Sequence, residues 1–205
     1  MRTEPAMCSS EHHVQFFDSS KSLADTVSAF LISGLQRNEN AIIVATPEHR
    51  ELLSRRLEDA GWNARTLIAA NRLYVADAWQ TLEKFMRHEM PSPIAFDEVV
   101  GTIVTRTAAG KRAWIYGEMV DVLAERGNYR GAQQLEVLWN LLGQRECFTL
   151  FCGYASGHFG DPRTADALAG ICAAHDHVHR KRDDILAEFL LDQQAIGGRA
   201  STSSE

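Results

Sequence analysis

Apolar residues recur along the chain in two alternating patterns, short continuous runs and longer amphipathic stretches. The amphipathic stretches are roughly 10 to 18 residues long and their apolar positions repeat with helical spacing. The short runs predict five β-strands: HHVQFF, AIIVA, RLYVAD, RAWIYG and CFTLFCGY, which begin at residues 12, 41, 72, 112 and 147. This alternation predicts an α/β fold with three layers, a mainly parallel five-stranded sheet with helices on both faces.

Composition divides the chain into an ordered part and polar ends. No Pro/Gly/Ser-rich linker interrupts residues 11–180, so we interpret them as one domain. Ser20 or Ser22 is expected to cap the first helix. A last helical region is predicted from Asp161 to about Leu191. The expected segments are a flexible N-terminus at 1–10, the domain at 11–180, a helical extension at 181–191 and a disordered tail at 192–205.

Charge and hydropathy exclude several classes of protein. The formal net charge is −6, so no overall basic field favours DNA, RNA or an anionic membrane. No run of about 18 apolar residues predicts a membrane span, and the first residues lack an apolar core of signal-peptide length. We therefore expect a cytoplasmic protein. The cysteines show no C-x-x-C spacing and are expected to be reduced; they are Cys8, Cys147, Cys152 and Cys172.

The stretch HHVQFFDSSKSLAD has the order of a nucleotide-binding phosphate loop: a strand, a short loop, Lys21-Ser22 and a helix. A phosphate loop needs glycines so that main-chain N–H groups converge on the anion. None lies between Phe17 and Gly34, and Asp18 adds a negative charge. We therefore interpret Lys21 as a solvated residue of the first helical turn.

Ligands of open parallel sheets gather at the carboxyl ends of the strands. The residues that follow the predicted strands are polar and include acids and an imidazole. Glu118 has two interpretations, a helix N-terminal residue favoured by the dipole or a metal-binding or water-activating carboxylate. The candidate ligand-binding residues are Asp18, Glu48, His49, Glu118 and Tyr154.

The histidines do not predict a metal site. His12 precedes the first strand and is expected to form a hydrogen bond that fixes the entry of the chain. In a helix, His175 and His179 would share a face and His177 would point elsewhere, but no H-E-x-x-H motif or cysteine in register completes a ligand set. No G-x-S-x-G elbow is present either. We expect no metal, no cofactor and no catalytic residue.

Five blocks in order resemble the MEDS domain, the methanogen/methylotroph, DcmR-type sensory domain. They are HHVQFFDSSKSLADTVSAFLISGLQRNENAIIVATPEHRELLSRRLEDAG, RLYVADAWQTLEKFM, YGEMVDVLAERG, QLEVLWNLL and FTLFCGYASGHF. The resemblance implies a RecA/KaiC-like fold that has not retained the phosphate loop, and a sensory role toward small molecules such as hydrocarbon derivatives. The positions that fall in the family's blocks are His12, Gln15, Phe17, Gly117, Glu118, Met119, Glu136, Trp139 and Asn140, and Phe17 stands where Tyr is common in the family.

Our leading hypothesis is a non-catalytic sensory domain that binds a small molecule and signals through a partner. Because 205 residues leave no room for an output module, the partner is expected to be a histidine kinase, a transcription regulator or a second copy. An apolar strip is a candidate surface for it: Ile185, Leu186, Phe189 and Leu190. Two alternatives stay open. One is a residual nucleotide-binding or hydrolysing protein that uses Glu118, and the other is an interaction module without a ligand.

Overall fold

Six parallel strands form the centre of the molecule. The computed structural model describes residues 9–179. The strands in chain order are β1 (Glu11–Phe17), β2 (Asn40–Ala45), β3 (Leu73–Asp77), β4 (Met86–Arg87), β5 (Met90–Pro91), β6 (Ala113–Gly117), β7 (Phe148–Ala155) and β8 (His177–His179). The main sheet has the order β3-β2-β6-β7-β1-β8, and every pair in it is parallel. The two short strands β4 and β5 form a separate antiparallel pair.

Helices cover both faces of this sheet. They are α1 (Ser20–Gln36), α2 (Pro47–Asp59), α3 (Ala64–Ala69), α4 (Ala78–Phe85), α5 (Pro93–Phe96), α6 (Thr102–Ala108), α7 (Met119–Glu125), α8 (Tyr129–Gly143) and α9 (Ala165–Ala173). A π-helical segment, Asp97–Gly101, joins α5 to α6. Within residues 9–179, no helix is both long and apolar enough to cross a lipid bilayer.

Alternate side chains of each strand enter two different hydrophobic cores. In β2, Ile42 and Val44 pack with α4 to α9, whereas Ala41 and Ile43 pack with α1 to α3. Successive side chains of a strand point to opposite faces, so a continuous apolar run is the signature of a strand covered on both sides. The predicted three-layer α/β arrangement is confirmed, with six strands in the main sheet instead of five.

The additional strand comes from a region predicted to be helical. α9 ends at Ala173, and His177–His179 pair with β1 as β8. Asp176 leads into this strand: its main-chain N–H donates to the carbonyl of His12, and its carboxylate accepts from the His12 N–H, both at 2.9 Å. The pairing satisfies main-chain groups of β1 that would otherwise have no partner. The prediction of a continuous helix is therefore wrong at these residues.

Other boundaries also differ from the prediction. Ser19, not Ser20 or Ser22, caps α1, because its hydroxyl accepts from the N–H of Ser22 at 3.2 Å. The stretch AWQTLEKFMRHEM after β3 predicts a helix throughout, but α4 stops at Phe85, where the β4–β5 hairpin begins. The predicted flexible start lies almost wholly outside the described residues. The extension at 181–191, its apolar strip and the tail at 192–205 lie outside them entirely.

Candidate functional site

Glu118 is the most enclosed acid at the carboxyl edge of the sheet. It follows β6 and is only 1 % exposed. The N–H of Thr46 donates to Oε2 at 2.6 Å, and the hydroxyl of Tyr116 donates to Oε1 at 2.8 Å. Nδ1 of His49 also contacts Oε1. Both carboxylate oxygens of Glu118 are thus occupied by groups of the protein itself.

His49 and Glu118 form a buried ion pair that changes the protonation of the imidazole. Burial lowers the pKa of His49, but the hydrogen bond and the charge of Glu118 outweigh burial and raise it above its usual value. His49 also contacts the ring edge of Phe17, with the ring centroids 5.8 Å apart. Glu48, the third candidate residue of this part of the edge, is exposed.

A second acid, Asp121, lies at the same edge and was not predicted from the sequence. Its Oδ1 accepts from the N–H of Ala155 at 2.8 Å and lies 3.2 Å from Nε2 of His158. Burial raises the pKa of Asp121 to about 6, although the Ala155 hydrogen bond and His158 act in the opposite direction. A carboxyl group with such a pKa changes its charge close to neutral pH.

A pocket of about 600 Å³ opens beside the ends of β1 and β7. Its walls are mainly apolar and include Phe16 and Phe159. α9 supplies the opposite wall through Ala165, Leu168 and Ala169. Polar groups come from three residues: Asp18, Ser156 and Cys172. This volume, and a lining that is mainly apolar with a few polar groups, are typical of sites for small organic molecules.

The pocket lies where the topology of the sheet predicts a crevice. β1 and β7 are neighbours, yet the helices that follow them cover opposite faces of the sheet. α1 packs into the core shared with α2 and α3, whereas Ile171 of α9 packs into the other core. Neighbouring strands whose connections leave in opposite directions form a topological switch point, where ligands of open α/β sheets bind.

Tyr154 lies behind the pocket, not on its surface. The side chain is fully buried, and its ring lies 5.9 Å from that of Phe16 and 5.7 Å from that of Phe159. Its hydroxyl donates to Oε1 of Glu136 at 2.7 Å. Tyr154 therefore separates the aromatic wall of the pocket from a polar cluster inside the protein.

This polar cluster comprises His12, Glu136, Cys152 and His175, and we call it the buried cluster. One donor atom from each residue can be chosen so that all four lie within 4.8 Å of one another. Nε2 of His12 lies 3.3 Å from Oε2 of Glu136 and 3.4 Å from Sγ of Cys152. Sγ of Cys152 lies 3.6 Å from Oε2, and Nε2 of His175 lies 3.5 Å from Oε1. These are the residue types that bind transition metals.

Four separate parts of the fold bring the buried cluster together. His12 lies on β1 and Cys152 on β7, with their side chains on the same face of the sheet as α8, which carries Glu136. His175 follows α9. Burial lowers the pKa of His175 and raises that of the Cys152 thiol. For Glu136, the His175 and His12 imidazoles outweigh burial and hold the pKa below its usual value.

The three histidines of the HDHVH segment do not share a helix face. His175 joins the buried cluster, whereas His177 and His179 of β8 stack beside His13. Burial, strengthened by His177 and His179, lowers the pKa of His13 to about 3. The helical geometry considered for His175 and His179 is therefore wrong. No cysteine lies in register with these histidines in the sequence, but the fold brings Cys152 of β7 next to His175.

The structure divides the predicted ligand-binding residues between two places. Glu48, His49 and Glu118 lie at the ends of β2 and β6, whereas Asp18 lines the pocket and Tyr154 lies behind it. The residues that match the family's blocks are also divided. His12, Glu136 and Asn140 meet at the buried cluster, while Gln15, Phe17, Gly117, Met119 and Trp139 lie elsewhere in the fold.

One expectation about the cysteines is wrong. Cys147 is disulfide-bonded, whereas Cys152 and Cys172 carry thiols. Nothing in the local spacing of the cysteines indicated this difference, because a bridge depends on the distance between two Cα atoms in the folded chain.

A parallel α/β sheet with helices on both faces places the chain in the class of open α/β domains, and its apolar pocket lies at the switch point of that sheet. Residues 11–175 match the family model of the MEthanogen/methylotroph, DcmR Sensory domain, and the chain belongs to this MEDS family. The family is one of sensory domains. No curated protein matches the sequence.

Proposed function

We propose that this chain is a non-catalytic sensory domain that binds a small, largely apolar organic molecule and passes the signal to a partner. The observation that carries the proposal is the apolar pocket of about 600 Å³ at the switch point between β1 and β7. The sensory character of the family supports the same function.

The walls of the pocket indicate the chemistry of the ligand. Phe16, Phe159 and Leu168 offer apolar contacts, which favour a hydrocarbon body. Asp18 and Ser156 offer a carboxylate and a hydroxyl, which suit a ligand with one hydroxyl, amine or similar polar group. A hydrocarbon derivative of this kind fits better than a fully charged anion, because Asp18 would repel an anion.

Two features support a ligand other than a nucleotide. The connection between β1 and α1 consists of Asp18 and Ser19, so it contains no glycine and no long loop to surround a phosphate. Glu118 is fully engaged by Thr46, Tyr116 and His49, which leaves it poorly placed to bind a metal ion or activate water. Residual nucleotide binding through Glu118 is the alternative that the experiment must distinguish from binding of a small organic molecule.

α9 offers a route by which binding could be transmitted. It forms one wall of the pocket through Leu168 and Ala169, and it leads through His175 into β8. A ligand that binds one arrangement of α9 more tightly than another shifts the population between them. The recipient of the signal would be a histidine kinase, a transcription regulator or a second copy of the chain.

A matched pair of substitutions on α9 tests the pocket. Ala169→Trp places an indole in the pocket, whereas Ala173→Trp places it on an exposed part of the same helix. The full chain and both variants are screened by thermal shift and calorimetry against short alcohols, ketones, amines and haloalkanes, and against ATP and ADP with Mg²⁺. We expect a small organic molecule to stabilise the wild type and Ala173→Trp but not Ala169→Trp.

Other outcomes contradict the proposal. Binding of ATP that is lost in Glu118→Gln or Lys21→Ala would show a residual nucleotide binder. If no compound shifts the melting temperature while a defined signalling protein binds the chain equally well in both tryptophan variants, the domain is an interaction module without a ligand.

A further inference from the structure

The buried cluster contains more acceptors of hydrogen bonds than protons to satisfy them. Nδ1 of His12 lies 2.8 Å from Oδ1 of Asn140, and the amide group of Asn140 donates to the carbonyl of Ala174 at 2.8 Å. This second bond fixes the amide, so Oδ1 must accept and Nδ1 of His12 must donate. In the neutral ring, Nε2 of His12 then carries a lone pair that faces Glu136 and Cys152.

His175 is held in the same tautomer by a different partner. Its Nδ1 lies 2.7 Å from the carbonyl oxygen of Ile171, which can only accept, so Nδ1 carries the proton. Nε2 is buried, and no hydrogen bond to it is found among residues 9–179. The side chain of His175 is 0 % exposed, and this nitrogen points toward Oε1 of Glu136 at 3.5 Å.

These orientations place lone pairs against lone pairs in the core. With both rings neutral, the two imidazole nitrogens and the carboxylate of Glu136 are all acceptors. The hydroxyl of Tyr154 donates to Oε1 of Glu136 and the thiol of Cys152 has one hydrogen to donate, so acceptors still outnumber donors. A buried acceptor without a donor costs roughly 1–3 kcal/mol. A positive charge among the four residues, either a proton on an imidazole that donates to Glu136 or a metal ion, removes this cost.

We propose that His12, Glu136, Cys152 and His175 form a buried site for one divalent transition metal ion of the zinc type. In a tetrahedral zinc site, bonds of about 2.0–2.3 Å place neighbouring donor atoms roughly 3.3–3.7 Å apart. The four donor-to-donor distances given above run from 3.3 to 3.6 Å. Three of these distances join one set of donors, Nε2 of His12, Sγ of Cys152 and Oε2 of Glu136, which therefore already lie at the spacing that a tetrahedral ion requires. Nε2 of His175 lies near enough to complete the set, since one donor atom from each of the four residues can be chosen within 4.8 Å of the others. This inference is independent of the proposed ligand pocket.

The donor set selects the class of metal. One thiolate and two imidazoles favour Zn²⁺, Co²⁺ or Ni²⁺ over the hard cations Mg²⁺ and Ca²⁺, which prefer oxygen ligands. Metal binding displaces the thiol proton of Cys152. The thiolate, the carboxylate of Glu136 and a divalent cation then sum to zero charge, which suits a buried position.

Four protein ligands without an open position are typical of a structural ion and not of a catalytic one. The ion would join β1, β7, α8 and the segment after α9 at a single point. Because α9 is also a wall of the pocket, the ion would hold that wall against the sheet.

Metal content of the full chain tests the site. The protein is stripped with a chelator, dialysed against Zn²⁺ and analysed by mass spectrometry of the metal, alongside Cys152→Ser and His175→Gln. Their matched controls are Cys172→Ser and His177→Gln, which change the same residue types outside the buried cluster. We expect one zinc per chain in the wild type and both controls. In the two cluster variants, affinity should fall by more than the roughly 10- to 100-fold that loss of an outer-shell partner causes.

A second measurement does not depend on the folding of the variants. Loading the wild type with Co²⁺ should give the absorption bands of a tetrahedral ion together with a thiolate-to-cobalt charge-transfer band. The proposal is overturned if the stripped protein takes up no stoichiometric Zn²⁺, if the Co²⁺ protein lacks the charge-transfer band, or if Cys152→Ser and His175→Gln bind zinc as tightly as the controls do.

Discussion

The hydroxyl of Tyr154 donates a hydrogen bond of 2.7 Å to Oε1 of Glu136 in the interior of the protein. Because the ring of Tyr154 also packs against Phe16 and Phe159, this one side chain touches both the wall of the pocket and the proposed metal site. A change in the pocket can therefore reach the residues of the proposed metal site through a single residue.

Tyr154→Phe should weaken metal binding without removing a ligand. The substitution keeps the ring and deletes the hydrogen bond that orients Glu136. Loss of such an outer-shell partner lowers metal affinity by roughly 10- to 100-fold, which competition with a chromophoric chelator measures. Tyr116→Phe is the control, because it deletes the equivalent bond to Glu118. Equal affinities in the two variants would contradict the role assigned to Tyr154.

Glu118→Gln should lower the pKa of His49. The charge and hydrogen bond of Glu118 raise this pKa against the effect of burial, so burial has more influence once the charge is gone. Titration of the imidazole by NMR measures the change, and Glu51→Gln on the exposed side of the same helix serves as the control. An unchanged His49 titration would show that the contact with Glu118 does not set the pKa.

The sign of the associated stability change follows from the raised pKa. A histidine whose folded pKa lies above its unfolded pKa of about 6.5 stabilises the fold below that value. The stabilisation is lost as the pH rises through the folded pKa. Glu118→Gln should remove this contribution. The free energies of unfolding of the wild type and the variant, measured by urea denaturation, should therefore differ more at pH 5 than at pH 9.

Asp121→Asn should remove a pH dependence of the unfolding free energy. In the wild type, the raised pKa of Asp121 makes this free energy fall as the pH rises, whereas an aspartate in an ordinary ion pair makes it rise. The folded pKa of Asp121 is about 6 and its usual value is 3.8, so between these values the folded state holds a proton that the unfolded state has lost. The unfolding free energy of the wild type should therefore fall, relative to Asp121→Asn, as the pH rises from 4 to 7. At roughly 1.4 kcal/mol per pKa unit, the change is up to about 3 kcal/mol.

Chemical denaturation at several pH values checks this expectation for Asp121. Asp166→Asn, which replaces an exposed aspartate of α9, is the control. If Asp121→Asn and the wild type keep a constant difference from pH 4 to 7, then the pKa of Asp121 is not raised in the folded protein.

Gly34→Ala should destabilise the protein although alanine favours a helix. A Cβ at this position of α1 would lie 2.3 Å from Cγ of Trp114. The indole is held by the ring of Phe30 and by its hydrogen bond to Glu39 at 2.6 Å, so it has little freedom to move. Overpacking of this kind costs about 1–3 kcal/mol, more than the gain of about 1 kcal/mol in helix propensity.

Thermal or urea unfolding measures the effect at Gly34. Gly157→Ala is the control, because a Cβ there meets no atom within 4 Å. If the melting temperature of Gly34→Ala equals or exceeds that of the wild type, then α1 does not pack closely on β6 at this position.

Much of the fold could be predicted from the sequence because its elements are locally encoded. The apolar runs AIIVA and RAWIYG form β2 and β6, which are buried on both faces. The rule that ligands gather at the carboxyl ends of parallel strands selected Asp18, and the structure has a pocket beside this residue. β8 was missed because three residues carry too little periodicity to distinguish a strand from the end of a helix.

The sequence by itself therefore determined the class of fold and the apolar faces of its helices, because both are encoded by local patterns. Only the tertiary structure decided which polar residues meet. His12 lies 128 positions from Asn140 and 140 positions from Cys152 in the chain, and it touches both. No local pattern encodes such contacts, because they depend on the order β7-β1-β8 and on the packing of α8 against that part of the sheet.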